Sequence, residues 1–271
     1  MPELPEVETT RQGIQPYIEQ QQIRQMVIRH RGLRWPIPDG LEQQLLGQTV
    51  HQVARRAKYL VLRCDQGSLL IHLGMSGRLR VLDSVGEIGK HDHVDIQFAN
   101  GYLLRFTDPR RFGAILWTDN TEQHPLLAHL GPEPLSTDFD GAYLYQKTRG
   151  KSSAIKTVIM DGKIVVGVGN IYANEALFLA GIHPQSPAGK LSKPRLAALT
   201  TAIKHVLEKA LQAGGTTLRD FRKSDGNPGY FAQELNVYGR ENLPCLHCQT
   251  PITSIRQAQR ASYFCKHCQR R

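Results

Sequence analysis

Apolar positions change their period twice along this chain. Val7, Ile14 and Tyr17/Ile18 recur at helical spacing, so the chain should open with a helix that carries Pro5 in its first turn. From about Ile23 to Trp117 the texture is that of strands: Tyr59 to Leu62, Leu69 to Ile71, Leu79 to Val81 and Val94 to Phe98 are short apolar or alternating runs. Asn100-Gly101 then signals a tight hairpin into Tyr102 to Phe106. Strands at this density predict a β-sandwich or flattened barrel. From about Pro125 the pattern turns helical, and Leu130-Gly131-Pro132-Glu133-Pro134 interrupts both periods as a linker would. Helices are expected over Ala154 to Met160, Tyr172 to Ala180, and a longer segment capped by Ser192 that runs through Leu196, Leu199, Ile203, Val206, Leu207 and Leu211. The expectation is an α+β multidomain chain: an N-terminal β-sandwich domain with a leading helix over 1–130, a helical domain over 131–236, and a small C-terminal unit over 237–271.

That last unit holds four of the five cysteines, as Cys245-x2-Cys248-x16-Cys265-x2-Cys268. Two knuckles joined by a hairpin place four thiolates around one ion, the arrangement of a structural Zn2+ ribbon. Two disulfides are the alternative, disfavoured because the N-terminus lacks a basic-then-apolar secretory pattern. His247 and His267 sit inside the knuckles, and Cys64 stands alone in a strand-like run as a core residue. Charge concentrates in the same region: of a net +10, residues 190–271 contribute 14 Lys and Arg against 5 Asp and Glu. A single-sign field of this kind favours a polyanion such as nucleic acid. No run approaches 18 apolar residues, so the expected setting is cytoplasmic.

Pro2 is the candidate for chemistry. Removal of Met1 would leave a secondary amine that titrates near pH 8, is partly uncharged at neutral pH, and is depressed further by the helix N-terminus beside it. Glu3 and Glu6 lie three residues apart and can share a face, offering carboxylates for proton transfer. Acidic residues in a first turn also simply complement the dipole, and Met-Pro starts are common. Val165-Val166-Gly167-Val168-Gly169-Asn170-Ile171-Tyr172 is a glycine-bearing turn into a helix, an anion site or an ordinary helix connection. Gly214 to Tyr230 is rich in glycine and polar residues and reads as a loop.

The string Pro2-Glu3-Leu4-Pro5-Glu6-Val7-Glu8 resembles the N-terminus of the formamidopyrimidine-DNA glycosylase family, and the likeness extends over essentially the whole chain. It takes in Arg56-Ala57-Lys58-Tyr59, His72 to Gly77, Lys90-His91-Asp92-His93, Asp108 to Gly113, the Gly167-to-Tyr172 turn and Gln257-Ala258-Gln259-Arg260. These blocks match the formamidopyrimidine branch better than the related endonuclease VIII branch. The resemblance implies a helix-two-turn-helix module, and a bifunctional glycosylase and AP lyase that excises 8-oxoguanine and formamidopyrimidines from damaged double-stranded DNA. Pro2 would be the nucleophile and Schiff-base former, Glu3 the proton donor and acceptor at the sugar, and Glu6 a supporting carboxylate. Lys58 would assist β,δ-elimination and touch phosphate, and Arg260 would hold the phosphate flanking the lesion. Met75, Arg110 and Phe112 would fill the vacated stack, with His91, Lys151 and Asn170 as further DNA contacts and His72 structural. Zinc would be structural and the protein a monomer associated with the nucleoid through DNA. The rival reading, a non-catalytic zinc-ribbon DNA-binding protein, explains charge and cysteines but leaves Pro2, Glu3 and Lys58 without purpose.

Overall fold

The computed structural model describes residues 2–214 and 235–271; from residue 215 on, the expected Gly214-to-Tyr230 loop lies outside the described residues. They form two compact units, one built on residues 2–128, the other on 129–212 together with 235–271.

The first unit opens with α1 (Leu4–Ile18). Its N-cap Glu3 is extended, with φ −103° and ψ −170°, and Pro5 occupies the first turn, where a missing N–H costs nothing. Two antiparallel sheets follow. The first has the order β2 (Thr49–Val50), β1 (Gln21–Ile28), β7 (Asp92–Phe98), β8 (Leu103–Thr107), β6 (Arg78–Leu82), with the short α2 (Leu41–Leu45) between β1 and β2 in the chain. The second runs β3 (Gln52–Arg56), β4 (Tyr59–Cys64), β5 (Gly67–His72), β9 (Ala114–Thr118). Alternate residues of both sheets meet Val7, Ile14 and Ile18 of α1 in one core: Leu60 and Leu62, Leu69 and Ile71, Val94, Ile96 and Phe98, Leu104 and Phe106. The sandwich expected from the sequence is present, with β4 to β8 on the runs that predicted them. Cys64 packs against this core, and burial with the Asp65 charge pushes its thiol up to about 12.

One part of the sandwich is polar. Arg105, 1% exposed, donates bidentately to Asp95 at 2.8 Å and 2.8 Å and also to the carbonyls of Glu87 and Val85. Arg29 reaches the same carboxylate at 2.5 Å. Burial pushes the Asp95 carboxyl up, but hydrogen bonds from Arg105 and Arg29 outweigh it and hold the group below the usual carboxylate range. A depressed carboxylate contributes stability above its unfolded pKa of about 4 and loses it as pH falls through the folded value. Arg105→Met should therefore cost about 3 kcal/mol in denaturant unfolding at neutral pH, because it leaves the buried Asp95 carboxylate with Arg29 alone in place of two guanidiniums. The deficit should shrink as pH falls towards and below about 4; a deficit independent of pH would mean that lost packing, not charge, is responsible.

The second unit contains α3 (Gly141–Thr148), α4 (Ile155–Ile159), α5 (Asn170–Leu179), α6 (Lys193–Gln212) and the hairpin β10 (Thr253–Gln257) to β11 (Arg260–Phe264). Asp140 caps α3 by accepting the Tyr143 N–H at 2.7 Å. Leu196, Leu199, Ile203, Val206 and Leu207 are the buried stripe of α6, as their spacing predicts. α5 starts at Asn170, two residues ahead of the expected start. The buried Glu175 carboxylate on α5 accepts the backbone N–H groups of Asn236, Val237 and Tyr238 at 2.8–2.9 Å. Asn174 Oδ1 accepts from Tyr263 N at 2.8 Å. The cysteine-bearing segment is thereby bonded to the helices as part of one unit. Among the described residues, no helix is long and apolar enough to cross a membrane.

Candidate active site

In the first unit Pro2, Glu3 and Glu6 are all buried at the N-terminus of α1. The Glu3 N–H donates to the Glu6 carboxylate at 2.8 Å, which fixes the entry of the chain and holds Pro2 at the positive end of the helix. Lys58 lies in the two-residue turn that joins β3 to β4, where Ala57 takes φ 55°. Arg55 locks this turn to α1: it pairs with Glu8 at 3.0 Å and donates to the Ala57 carbonyl at 2.8 Å.

The three candidate wedge residues come from two loops that share one buried carboxylate. Asp108, 0% exposed, accepts from Ser76 Oγ at 2.7 Å, Gly113 N at 2.8 Å and Arg110 N at 3.3 Å. It therefore joins the turn bearing Met75 to the loop bearing Arg110 and Phe112. The approach is so close that a Cβ on Gly74, at φ +61°, would lie 2.3 Å from the Phe112 carbonyl carbon. The Arg110 guanidinium lies 5.0 Å from the Phe112 ring centroid, and Phe112 is 42% exposed. His72 Nδ1 accepts from Gly74 N at 3.0 Å, supporting the same turn. Burial, with Lys58 and Arg34 adding to it and Asp108 opposing, pushes this imidazole down to about 4, so it stays neutral and keeps its acceptor. His91 stands at the end of the loop before β7, its carbonyl accepting from Asp108 N at 3.0 Å.

In the second unit Lys151 and Arg260 line the same concavity of about 370 Å³. Arg260 follows a two-residue turn, Ala258-Gln259, in which both residues have positive φ, 46° and 59°. This geometry suits a right-handed hairpin twist but normally selects Asn-Gly, so the sequence accepts strain at this point. Lys156, a buried cation that sequence reasoning missed, donates to the Ala261 carbonyl at 2.9 Å and to Ser262 Oγ at 2.7 Å. Asn170 Nδ2 reaches the same carbonyl at 3.1 Å, so Asn170 secures the residue next to Arg260. Asp108, Lys156 and Glu175 carry no local signal, because each acts through partners distant in sequence.

The sulfurs of Cys245, Cys248, Cys265 and Cys268 all lie within 4.8 Å of one another, with separations of 3.4 Å and 3.9 Å among them. A tetrahedral Zn2+ with Zn–S bonds of about 2.3 Å requires sulfur separations near 3.8 Å, so the cluster fits one zinc. All four cysteines are free of disulfides, and knuckle N–H groups of His247 and Cys268 donate to sulfur, as a thiolate site requires. Four sulfur donors leave no open coordination position, which makes the metal structural.

Three family models match the chain in order: the formamidopyrimidine-DNA glycosylase N-terminal domain over residues 1–115, its H2TH domain over 130–222, and the zinc finger found in FPG and IleRS over 242–271. The formamidopyrimidine-DNA glycosylase of Hydrogenovibrio crunogenus is 57% identical over 271 residues, covering 100% of this chain and 97% of that protein. That of Stutzerimonas stutzeri is 55% identical over 270 residues, covering 100% of both. Among solved structures, the MutM (Fpg) protein of Thermus thermophilus superposes with a TM-score of 0.89 at 37% identity, covering 99% of this chain and 98% of that one. The Lactococcus lactis Fpg in complex with DNA containing an abasic site gives 0.92 at 33% identity, covering 99% and 100%. The chain belongs to the formamidopyrimidine-DNA glycosylase family.

Proposed function

We propose that this chain is a bifunctional DNA glycosylase and AP lyase that removes 8-oxoguanine and formamidopyrimidines from damaged double-stranded DNA. The observation that carries the reading is the placement of Pro2 beside buried Glu3 and Glu6 at the N-terminus of α1, in a chain of this family. The reading requires removal of Met1. The lesion is inaccessible in the stack, so the nucleotide is turned out and Met75, Arg110 and Phe112 occupy the gap, at a cost of a few kcal/mol. The Pro2 nitrogen lone pair forms a bond to C1′; the glycosidic bond breaks and its electron pair leaves with the base, which gains a proton. Glu3 handles protons at the sugar, with Glu6 supporting it. The nitrogen loses its proton and its lone pair closes onto C1′ as the C1′–O4′ bond breaks, with O4′ taking a proton from Glu3; the resulting iminium acidifies C2′–H, and loss of that proton expels the 3′ phosphate, after which a second elimination expels the 5′ phosphate, with Lys58 assisting. Arg260, His91, Lys151 and Asn170 act on the DNA backbone. Zinc holds the hairpin and takes no part in these steps.

The division into 1–130, 131–236 and 237–271 fits this reading as a catalytic domain, a helix-two-turn-helix domain and a zinc finger. The protein would work as a monomer in the cytoplasm, on nucleoid DNA. Borohydride reduction on a duplex containing 8-oxoguanine tests the reading: the iminium is reduced to a stable amine, linking protein to DNA. Sequence-independent binding with no covalent product would instead establish the non-catalytic alternative.

Arg110 should set the choice of base opposite the lesion. A guanidinium only donates, and orphaned cytosine offers acceptors on its pairing edge where adenine presents an amino donor. A bidentate contact is worth about 1–3 kcal/mol, giving roughly a tenfold to hundredfold preference for cytosine. Arg110→Ala should narrow that ratio in single-turnover excision, while Phe112→Ala should slow both pairings alike. An unchanged ratio in the Arg110 variant would place discrimination elsewhere, in Met75 or the backbone.

A further inference from the structure

Ser76 lies between the two loops that carry Met75, Arg110 and Phe112. It is 8% exposed, and its Oγ meets two groups: Asp108 Oδ1 at 2.7 Å and the backbone nitrogen of Arg110 at 3.2 Å. A backbone N–H can only donate, so the hydroxyl accepts from Arg110 and gives its own proton to Asp108. The same Arg110 N–H is shared with Asp108 Oδ1 at 3.3 Å. One hydroxyl therefore ties the backbone of Arg110 directly to the turn that bears Met75.

Both ends of this bridge are themselves fixed. On one side Gly77 N donates to the Leu73 carbonyl at 2.8 Å, and a Cβ on Gly77 would lie 2.3 Å from that oxygen, so the turn around Ser76 is closed as tightly as the backbone allows. On the other side Asp108 N donates to the His91 carbonyl at 3.0 Å, and the Asp108 carbonyl accepts from His93 Nε2 at 2.8 Å and Arg111 N at 3.2 Å. Arg110 reaches outward through a long side chain whose far end rests over the Phe112 ring, 5.0 Å from its centroid. Its backbone nitrogen is thus the fixed point from which the guanidinium is aimed, and a bidentate contact needs that aim to hold within about 0.5 Å.

We propose that Ser76 is a positioning residue for the choice of base opposite the lesion: its hydroxyl fixes the Arg110 backbone against the Met75 turn, so that the guanidinium meets cytosine in line and adenine out of line. The proposal rests on the role given to Arg110 above. The measurement is single-turnover excision of 8-oxoguanine from duplexes that pair it with cytosine or with adenine. Ser76→Ala should narrow the cytosine-over-adenine ratio by about twofold to tenfold, the worth of one neutral hydrogen bond, chiefly through slower excision opposite cytosine. Ser76→Thr, which keeps the hydroxyl, should return the ratio to that of the unsubstituted protein, and Ser76→Ala should narrow it no further in an Arg110→Ala protein. Hydrogen exchange gives a second readout: in Ser76→Ala the Arg110 amide should exchange faster relative to the Gly113 amide, which Asp108 Oδ2 holds at 2.8 Å. A serine that only supports the fold would slow both pairings alike and leave the ratio unchanged, and that result overturns the proposal. Unaltered relative exchange of the two amides, or equal narrowing with and without Arg110, overturns it as well. If Arg110→Ala itself leaves the ratio unchanged, the proposal falls with the role of Arg110, whereas the glycosylase reading is decided separately by borohydride capture with the unsubstituted protein.

Discussion

A protein carrying one extra residue ahead of Pro2 should lose borohydride capture on 8-oxoguanine DNA by about three orders of magnitude or more, since removing the nucleophile is the costliest single change to an enzyme that works through a covalent intermediate. An added residue converts the secondary amine to an amide without a nucleophilic lone pair. Glu3 also sits at the helix cap, its N–H held by Glu6 at 2.8 Å, so the amine cannot be replaced by a neighbour without unwinding the first turn. Duplex affinity should fall far less, because the proposed phosphate contacts are on other elements. Undiminished capture by the extended protein would transfer the covalent step to another amine, with Lys58 the first to test.

The elements that could be read from the sequence are those whose pattern is periodic. α1, β4 to β8 and α6 announce themselves through apolar residues at spacings that a helix or a pleated strand imposes, and Asn100-Gly101 fixes the β7–β8 hairpin. The cysteine spacing likewise led to a cluster that fits one ion. What could not be read depends on partners far along the chain. Lys156 looks like a surface lysine on a short helix, yet it is bonded to Ala261 and Ser262. Asp108 looks like a turn aspartate, yet it joins the Met75 turn to the Arg110 loop across 32 residues. α3 had no signal of its own, since only Leu144 and Thr148 of its eight residues are buried. The Ala258-Gln259 turn lacked the Asn-Gly signature because the strain there is carried by the surrounding hairpin and its bonds to α5, which no local rule anticipates. The candidate site was therefore legible as a set of residue types and opaque as a set of supports.

Removal of zinc should undo the support for Arg260. A structural zinc in an isolated finger contributes about 10–16 kcal/mol of folding free energy, and the apolar cluster around this site is small: Phe178, Val237, Cys245, Ile252 and Cys265. Two of those five are themselves ligands, so little holds β10 and β11 together once the thiolates repel one another. Cys248→Ser should release the metal and abolish hydrogen-exchange protection of the amides in residues 253–264. The sandwich should keep its protection, since its core contains no residue of the hairpin. Because Arg260 leaves the β-turn and Lys156 and Asn170 lose the Ala261 carbonyl they share, the charged contact to phosphate goes with it. At about 1.5–3 kcal/mol for a hydrogen bond to a charged group, DNA affinity should drop roughly tenfold to hundredfold, close to the loss in a metal-replete Arg260→Ala protein. If the Cys248 variant loses its zinc yet keeps protection across 253–264, then Glu175 and Asn174 on α5, not the ion, hold the hairpin in place.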